Sequence, residues 1–290
     1  MIDILEFGDK NYPSLLKEIP NPPKKLYYRG DFKNDPRPHV AIVGTRKATL
    51  VGLQLAKKFA KELSARGVVI VSGLAMGIDT AAHEGALEAN GKTIAVLGNG
   101  LDWIYPKQNE KMGNRILETG GAILSEYPSG AESLPNHFLE RNRIVSGLCL
   151  GIVVIEAPTQ SGSLNTASHA LEQNREVFVV PGPLNNENYM GSHALLRAGA
   201  RLVTKPEEIL EDLNLAPDSD KQQNLFVNNP GLNENQKTLL TALQKAGEPV
   251  SVDKIQELTK LDVSAINRNL TFLLIQSIVK EEGGRYFINS

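Results

Sequence analysis

Along most of the chain, short apolar runs alternate with longer stretches in which apolar positions recur every three or four residues. The runs at 40–43, 68–71, 93–97, 122–125, 151–155, 177–180 and 201–203 predict strands, and most are continuous enough to be covered on both faces. Helical spacing is clearest at 50–66, where Leu53, Ala56, Phe59, Ala60 and Leu63 share one side and Lys57, Lys58, Lys61 and Glu62 the other. Gly67 follows at the place where a left-handed helix cap is expected. Stretches 79–89, 109–118, 136–146, 164–174 and 193–198 supply the remaining crossovers. Strands alternating with helices predict an α/β fold, a Rossmann-like, mostly parallel sheet with helices on both faces.

The pattern changes at three places. Residues 1–38 hold six prolines around a short helix (12–19) and a short strand (26–29) and read as an N-terminal arm before the Rossmann-like domain, 39–213. Residues 214–231 are polar, contain Pro217 and Pro230 and lack a sustained period, so they read as a linker. Three helical stretches then follow (233–245, 252–259, 263–276), with β-rich runs around Gly283 and Gly284. This order predicts a winged-helix domain over 232–290.

Composition narrows the function. With 290 residues, 41% of them hydrophobic, the chain can bury a full core, and its net charge of −2 argues against coating duplex DNA by bulk positive charge. A nucleic-acid site must be local. The single cysteine, Cys149, excludes a disulfide framework and fits a reducing cytoplasm; between Leu148 and Leu150 it reads as a core thiol. The first ten residues lack the features of a secretion signal, and no apolar run approaches about 20 residues, so a soluble cytoplasmic protein with no membrane contact is expected.

In parallel sheets, ligands sit beyond the carboxyl ends of the strands. The turns there carry Gly44-Thr45-Arg46, Ser72-Gly73 through Gly77, and Gly98-Asn99-Gly100. Glycine serves either a tight turn or close approach of backbone amides to a phosphate. Neither the dinucleotide nor the Walker fingerprint is complete, so no nucleotide cofactor is expected. Arg46 can fork a phosphate or be a surface arginine. The 136–143 stretch sets Phe138 at helical spacing from Arg141 and Asn142, with Arg143 beside them. This is an aromatic plate with cations suited to an unpaired strand, unless Phe138 packs inward and Arg141 pairs with a carboxylate. Gly162 and Ser163 open a helix that Ser163 can cap or that can hold an anion. Asp79 reads as an N-cap. The five histidines show no metal spacing and read as helix-surface or interface residues, and no serine sits in a nucleophile elbow, so neither a metal nor a catalytic site is expected.

The segments 43–46 (VGTR), 71–83 (VSGLAMGIDTAAH), 98–102 (GNGLD), 104–107 (IYPK), 138–144 (FLERNRI), 161–164 (SGSL) and 179–182 (VVPG) occur in the order of the DprA/Smf family, which the chain resembles over about 39–210. The resemblance implies a domain that binds single-stranded DNA, self-associates as a homodimer, protects incoming strands and hands them to RecA during natural transformation, with no known catalytic step. By position it makes Arg46 and Lys107 backbone contacts and Phe138, Arg141, Asn142 and Arg143 the stacking and phosphate face. Together with the turn and helix-start residues Gly44, Thr45, Ser72, Gly73, Gly77, Gly162 and Ser163, these are the expected DNA-binding set. Met76 stands where many members carry a basic residue, and the longer front domain of some members is reduced here to residues 1–38. In the expected recognition helix only Arg268 is cationic, which favours protein contact or weak DNA contact. Two other readings compete: a nucleotide-processing hydrolase of the lysine-decarboxylase-like, cytokinin-activating class, whose catalytic carboxylate is not in place, and a winged-helix transcriptional regulator.

Overall fold

In β3 (His39–Val43), Ala41 and Val43 point into one apolar layer and Val40 and Ile42 into another, so the strand's apolar run is consumed on both faces. The computed structural model describes residues 2–32, 35–215, 232–246, 248–276 and 278–288, which fall into two units, 1–215 and 216–290. The first is built on one nine-stranded sheet. Its remaining strands are β1 (Asp3–Glu6), β2 (Lys25–Gly30), β4 (Val69–Ser72), β5 (Thr93–Leu97), β6 (Ala122–Ser125), β7 (Gly151–Val154), β8 (Glu176–Val179) and β9 (Arg201–Leu202), in the spatial order β1-β2-β6-β5-β4-β3-β7-β8-β9.

From β6 to β9 every pairing is parallel, with Val40 opposite Gly151 between β3 and β7. The chain moves outward from β3 through β4, β5 and β6, then returns to the other side of β3 with β7. The order therefore reverses between β3 and β7, and a crevice opens beyond their carboxyl ends. The helices α2 (Leu50–Ala65), α3 (Ile78–Glu88), α4 (Glu110–Glu118) and α8 (Pro206–Asp212) cover one face. The other is covered by α1 (Ser14–Lys17), α5 (Pro135–Gly147), α6 (Gly162–Glu172) and α7 (Met190–Arg197).

Residues 1–38, expected as an arm, contribute β1 and β2 to this sheet. Strand β2 pairs antiparallel with β6, Tyr28 opposite Leu124, and Leu5, Leu16, Leu26 and Tyr28 are buried in the same core as α5 and α6. The prolines shape the turns between these elements without breaking the short strands. Cys149 is fully buried as a free thiol.

The second unit holds α9 (Glu234–Ala246), α10 (Val252–Thr259), α11 (Val263–Ile275) and a small sheet ordered β10-β12-β11, from β10 (Val250–Ser251), β11 (Val279–Glu282) and β12 (Arg285–Ile288). Its helices begin at side-chain caps. Gln236 N donates to Asn233 Oδ1 at 2.9 Å while Asn233 N donates to Gln236 Oε1 at 2.8 Å, and Ala265 N donates to Asp262 at 2.9 Å. Leu239, Leu240, Ile255, Ile266, Leu270 and Leu273 make its own core. Of the expected linker, residues 216–231 lie outside the described residues.

Candidate nucleic-acid interface

The crevice at the β3–β7 reversal is a recess of about 430 Å³. The turn after β3 supplies Gly44, Thr45, Arg46 and Lys47, the turn after β4 supplies Gly73 and Ala75, and α5 and the start of α6 close the far wall. The first turn is held from below. Thr45 N donates to the Glu156 carbonyl at 2.7 Å, and the buried Glu156 carboxylate accepts from Thr49 N (2.9 Å), Thr49 Oγ1 (2.5 Å) and Asn188 Nδ2 (3.0 Å). A carboxylate at the first turn of α2 also meets the positive end of that helix. Any side chain at Gly52 would strike it, since a Cβ there would lie 2.5 Å from its carboxyl carbon. The same carboxylate adds to burial in pushing the Tyr189 hydroxyl up to about 12.

Arg141 forms the floor. It is almost wholly buried, donates to the Val96 carbonyl, and lies against the backbone of Gly73, where a Cβ would collide with the guanidinium. Burial lowers its pKa to about 10 against the opposing pull of Asp79, so it remains charged at neutral pH. Asp79 does not cap α3. Its carboxylate turns back to accept from Gly73 N (3.1 Å) and Ala75 N (3.3 Å), and burial raises its pKa while Arg141 holds it down. The α3 N-terminus begins at Gly77 with φ +83°, a left-handed conformation that brings its backbone against Thr45 and Arg46. Similarly, Ser163 is not the cap of α6. Ser161 holds that position, its Oγ accepting from Ser163 N at 3.3 Å.

Arg46 stands at the rim with its guanidinium carbon 5.7 Å from the centre of the Phe138 ring, in cation–π contact. The same ring also meets Tyr105, centroid to centroid 5.4 Å and tilted by 36°. Phe138 is half-buried, so part of the side chain meets solvent. Asn142 lines the recess and donates to Gly162 O (3.2 Å) and Asn165 Oδ1 (3.1 Å), tying α5 to α6.

Nine of the thirteen residues expected at a DNA site therefore share one recess: Gly44, Thr45 and Arg46 on the first turn, Gly73 on the second, Phe138, Arg141 and Asn142 on α5, and Gly162 and Ser163 on α6. Four do not line it. Ser72 is buried beneath the second turn, donating to Ile42 O at 2.7 Å. Gly77 lines an adjoining recess of about 440 Å³ that also contains Arg46 and Lys47. Lys107 is exposed just after Tyr105 and Pro106, outside the recess lining.

Arg143 faces away. It pairs with Glu126 at 2.7 Å, donates to Asn21 O and Glu140 O at 2.9 Å, and lines a separate cavity between α5 and α6. Residues two apart on a helix point about 200° apart, so Arg141 and Arg143 cannot share a face. Sequence reasoning did not assign Lys47 and Tyr105 to the site. Lys47 adjoins Arg46, and the Tyr105 ring was legible only as an aromatic two residues before Lys107.

His83, expected at a surface or interface, is fully buried. Its Nδ1 is 2.7 Å from Thr93 Oγ1, and burial, reinforced by the Arg141 charge, lowers its pKa to about 3. Among the described residues there is no group of three or more metal-ligating side chains, and no helix long and apolar enough to cross a membrane.

This recess can be compared with known proteins. The family model for DNA recombination-mediator protein A matches residues 3–214, the whole nine-stranded unit and its capping helices. Protein Smf of Escherichia coli K12 is 41% identical over 268 residues, 87% of this chain and 71% of its own length. DNA processing protein DprA of Streptococcus pneumoniae R6 is 44% identical over 204 residues, 70% and 72%. The X-ray structure of DprA from Streptococcus pneumoniae superposes with a TM-score of 0.69 at 42% identity, covering 73% of this chain and 74% of that one. DNA processing protein A of Helicobacter pylori, whose structure describes a single-stranded DNA binding mode, superposes at 0.66 and 36% identity, covering 74% and 96%. With a family match that spans the sheet from β1 to α8 and relatives this similar over most of their length, the chain belongs to the DNA recombination-mediator protein A family, known by the names DprA and Smf.

Proposed function

We propose that the recess at the β3–β7 reversal grips single-stranded DNA and that the chain acts as a recombination mediator. In this role a cytoplasmic homodimer protects incoming strands and loads RecA onto them during DNA uptake. The observation that carries the reading is the Arg46–Phe138 pair set above the bare amides of Gly44 and Gly73. A guanidinium is placed for a phosphate and an aromatic face for a base, on turns already fixed by Glu156 and Asp79. Arg46, Lys47 and Arg141 give the lining an excess of positive charge over Asp79, whose oxygens are engaged by backbone amides. The Helicobacter pylori relative, described by its single-stranded DNA binding mode, supports single-stranded DNA as the ligand. Nothing in the recess favours the hydrolase alternative: the stretch from Pro158 to Ser163 after β7 lacks that class's signature carboxylate, and the nearby Glu156 is enclosed in hydrogen bonds to Thr49 and Asn188.

The deciding experiment measures binding of fluorescent oligo-dT by anisotropy, beside a duplex of equal length and across a salt series. Single-strand binding that weakens steeply with salt, and that Arg46→Ala reduces for all sequences alike, is expected. No association at low ionic strength would overturn the reading. RecA-dependent strand exchange on protein-coated single strands tests the mediator role separately.

A further inference from the structure

The loop between β5 and α4 presents aromatic rings to solvent on a rigid base. Leu101 and Ile104 are buried in the core with α4, so the residues flanking them are turned outward: Trp103 is 41% exposed and Tyr105 43% exposed. The loop backbone is pinned at several points. Asn99 Nδ2 donates to Gly100 O (2.7 Å) and Trp103 O (3.1 Å), Ser125 Oγ donates to Asn99 O at 2.7 Å, and Gly130 N donates to the Asp102 carboxylate at 2.6 Å.

Tyr105 is in ring contact with Phe138 at the recess, and Trp103 lies two residues from it, within about 7 Å along the backbone. Directly after Tyr105 and Pro106 come three exposed cations, Lys107, Lys111 and Arg115, the last two one turn apart on α4. None of the three forms an ion pair among the described residues, whereas the lysines of α2 that face α3 do.

Building on the proposed strand-binding function, we infer that Trp103 and Tyr105 form a second base-stacking step and that Lys111 and Arg115 carry the phosphates that follow it, so that a bound strand leaves the recess across Phe138 and Tyr105 toward α4. A large aromatic surface left in water is stabilised by a π-face laid on it, and every nucleobase has one. The pinned loop lowers the cost of ordering these rings when the strand binds. Lys111 and Arg115, exposed and outside any ion pair among the described residues, are available to neutralise the phosphates that follow, so the step adds affinity only for strands long enough to reach it.

Trp103 is the single tryptophan of the chain, so its fluorescence reports on this step alone. The test titrates the full-length protein with oligo-dT of about 5 and about 25 nucleotides, following tryptophan emission and, in parallel, anisotropy of the labelled oligonucleotide. The long strand should quench Trp103 and the short one should bind with little quenching. Trp103→Ala should weaken the long strand about 5- to 150-fold, the range expected for one stacked base, and the short strand less than twofold. Trp103→Phe should restore most of the loss, and Lys111→Ala with Arg115→Ala should lower the salt slope for the long strand only.

A long strand that binds tightly without quenching Trp103, with Trp103→Ala unchanged, overturns the exit path and leaves the recess intact as the binding site. Absence of binding at either length overturns both.

Discussion

Helix α5 divides two cavities of opposite character. On one side Arg46, Lys47 and Arg141 converge on a recess with a single carboxylate, Asp79. On the other, Glu126, Glu140 and Glu172 outnumber Arg143 around a cavity of about 650 Å³. Leu139, exposed on the helix, lines both. Two arginines separated by one residue thus do unlike work. Arg141 is buried against backbone carbonyl and glycine where a polyanion would come, while Arg143 joins the turn after β6 to the residues before β2. A cationic helix sequence identifies a binding face only when it is known which residue the sheet hides and which the neighbouring helix claims.

The contrast is sharpest at Arg141. Arg141→Ala removes the cation that opposes burial at Asp79 and the side-chain donor to Val96 O, and should cost about 1–3 kcal/mol in chemical denaturation as well as abolishing oligo-dT binding. Acid should act on two histidines of the first unit. The folded pKa values of His83 (about 3) and His39 (about 4) are depressed, chiefly by burial, below the unfolded value of about 6.5, so the unfolded chain takes up these protons first. Their contribution is therefore fully present above about pH 6.5 and is lost as pH falls toward 4, with a slope of at most about 1.4 kcal/mol per pH unit for each histidine. His83→Gln should flatten that slope in a urea series.

Arg46→Ala removes one phosphate contact and the cation–π partner of Phe138 without touching the core, and should weaken binding about 10-fold while lowering the salt slope by about one. The smallest effect on binding belongs to the acidic side. Arg143→Ala should cost about 1–3 kcal/mol of stability through Glu126 and Asn21, yet leave oligo-dT affinity within about twofold. If Arg143→Ala weakened binding as much as Arg46→Ala, the two sides of α5 would not be functionally distinct.

Much of this was legible in the residues. Strands 40–43 and 151–155 announced themselves as unbroken apolar runs because both of their faces are covered, and the turn glycines marked where the chain reverses tightly. The first residues were harder. Strands β1 and β2 are short; β1 buries only Leu5, and β2 follows Pro22 and Pro23 and alternates buried with more exposed positions, so their place in the sheet depends on a partner, β6, remote in sequence. Within the candidate site, residue types were readable but directions were not. The outward turn of Arg143, the fold-back of Asp79 onto Gly73 and Ala75 and the choice of Ser161 over Ser163 as cap are settled by packing and backbone geometry that no local pattern encodes. His83 shows the reverse error: polarity suggested a surface residue, but a hydrogen bond with the Thr93 hydroxyl satisfies one nitrogen in the interior.

Pairing β2 with β6 also sets an order of assembly during translation. Tyr28 leaves the ribosome long before Leu124, its eventual neighbour, so the opening strands must wait while the parallel sheet is laid down and can dock only once β6 has been made. Until β2 docks, the outer margin of β6 is an open edge, able to recruit another chain's backbone. A truncation that removed residues 3–30 would make that temporary hazard permanent.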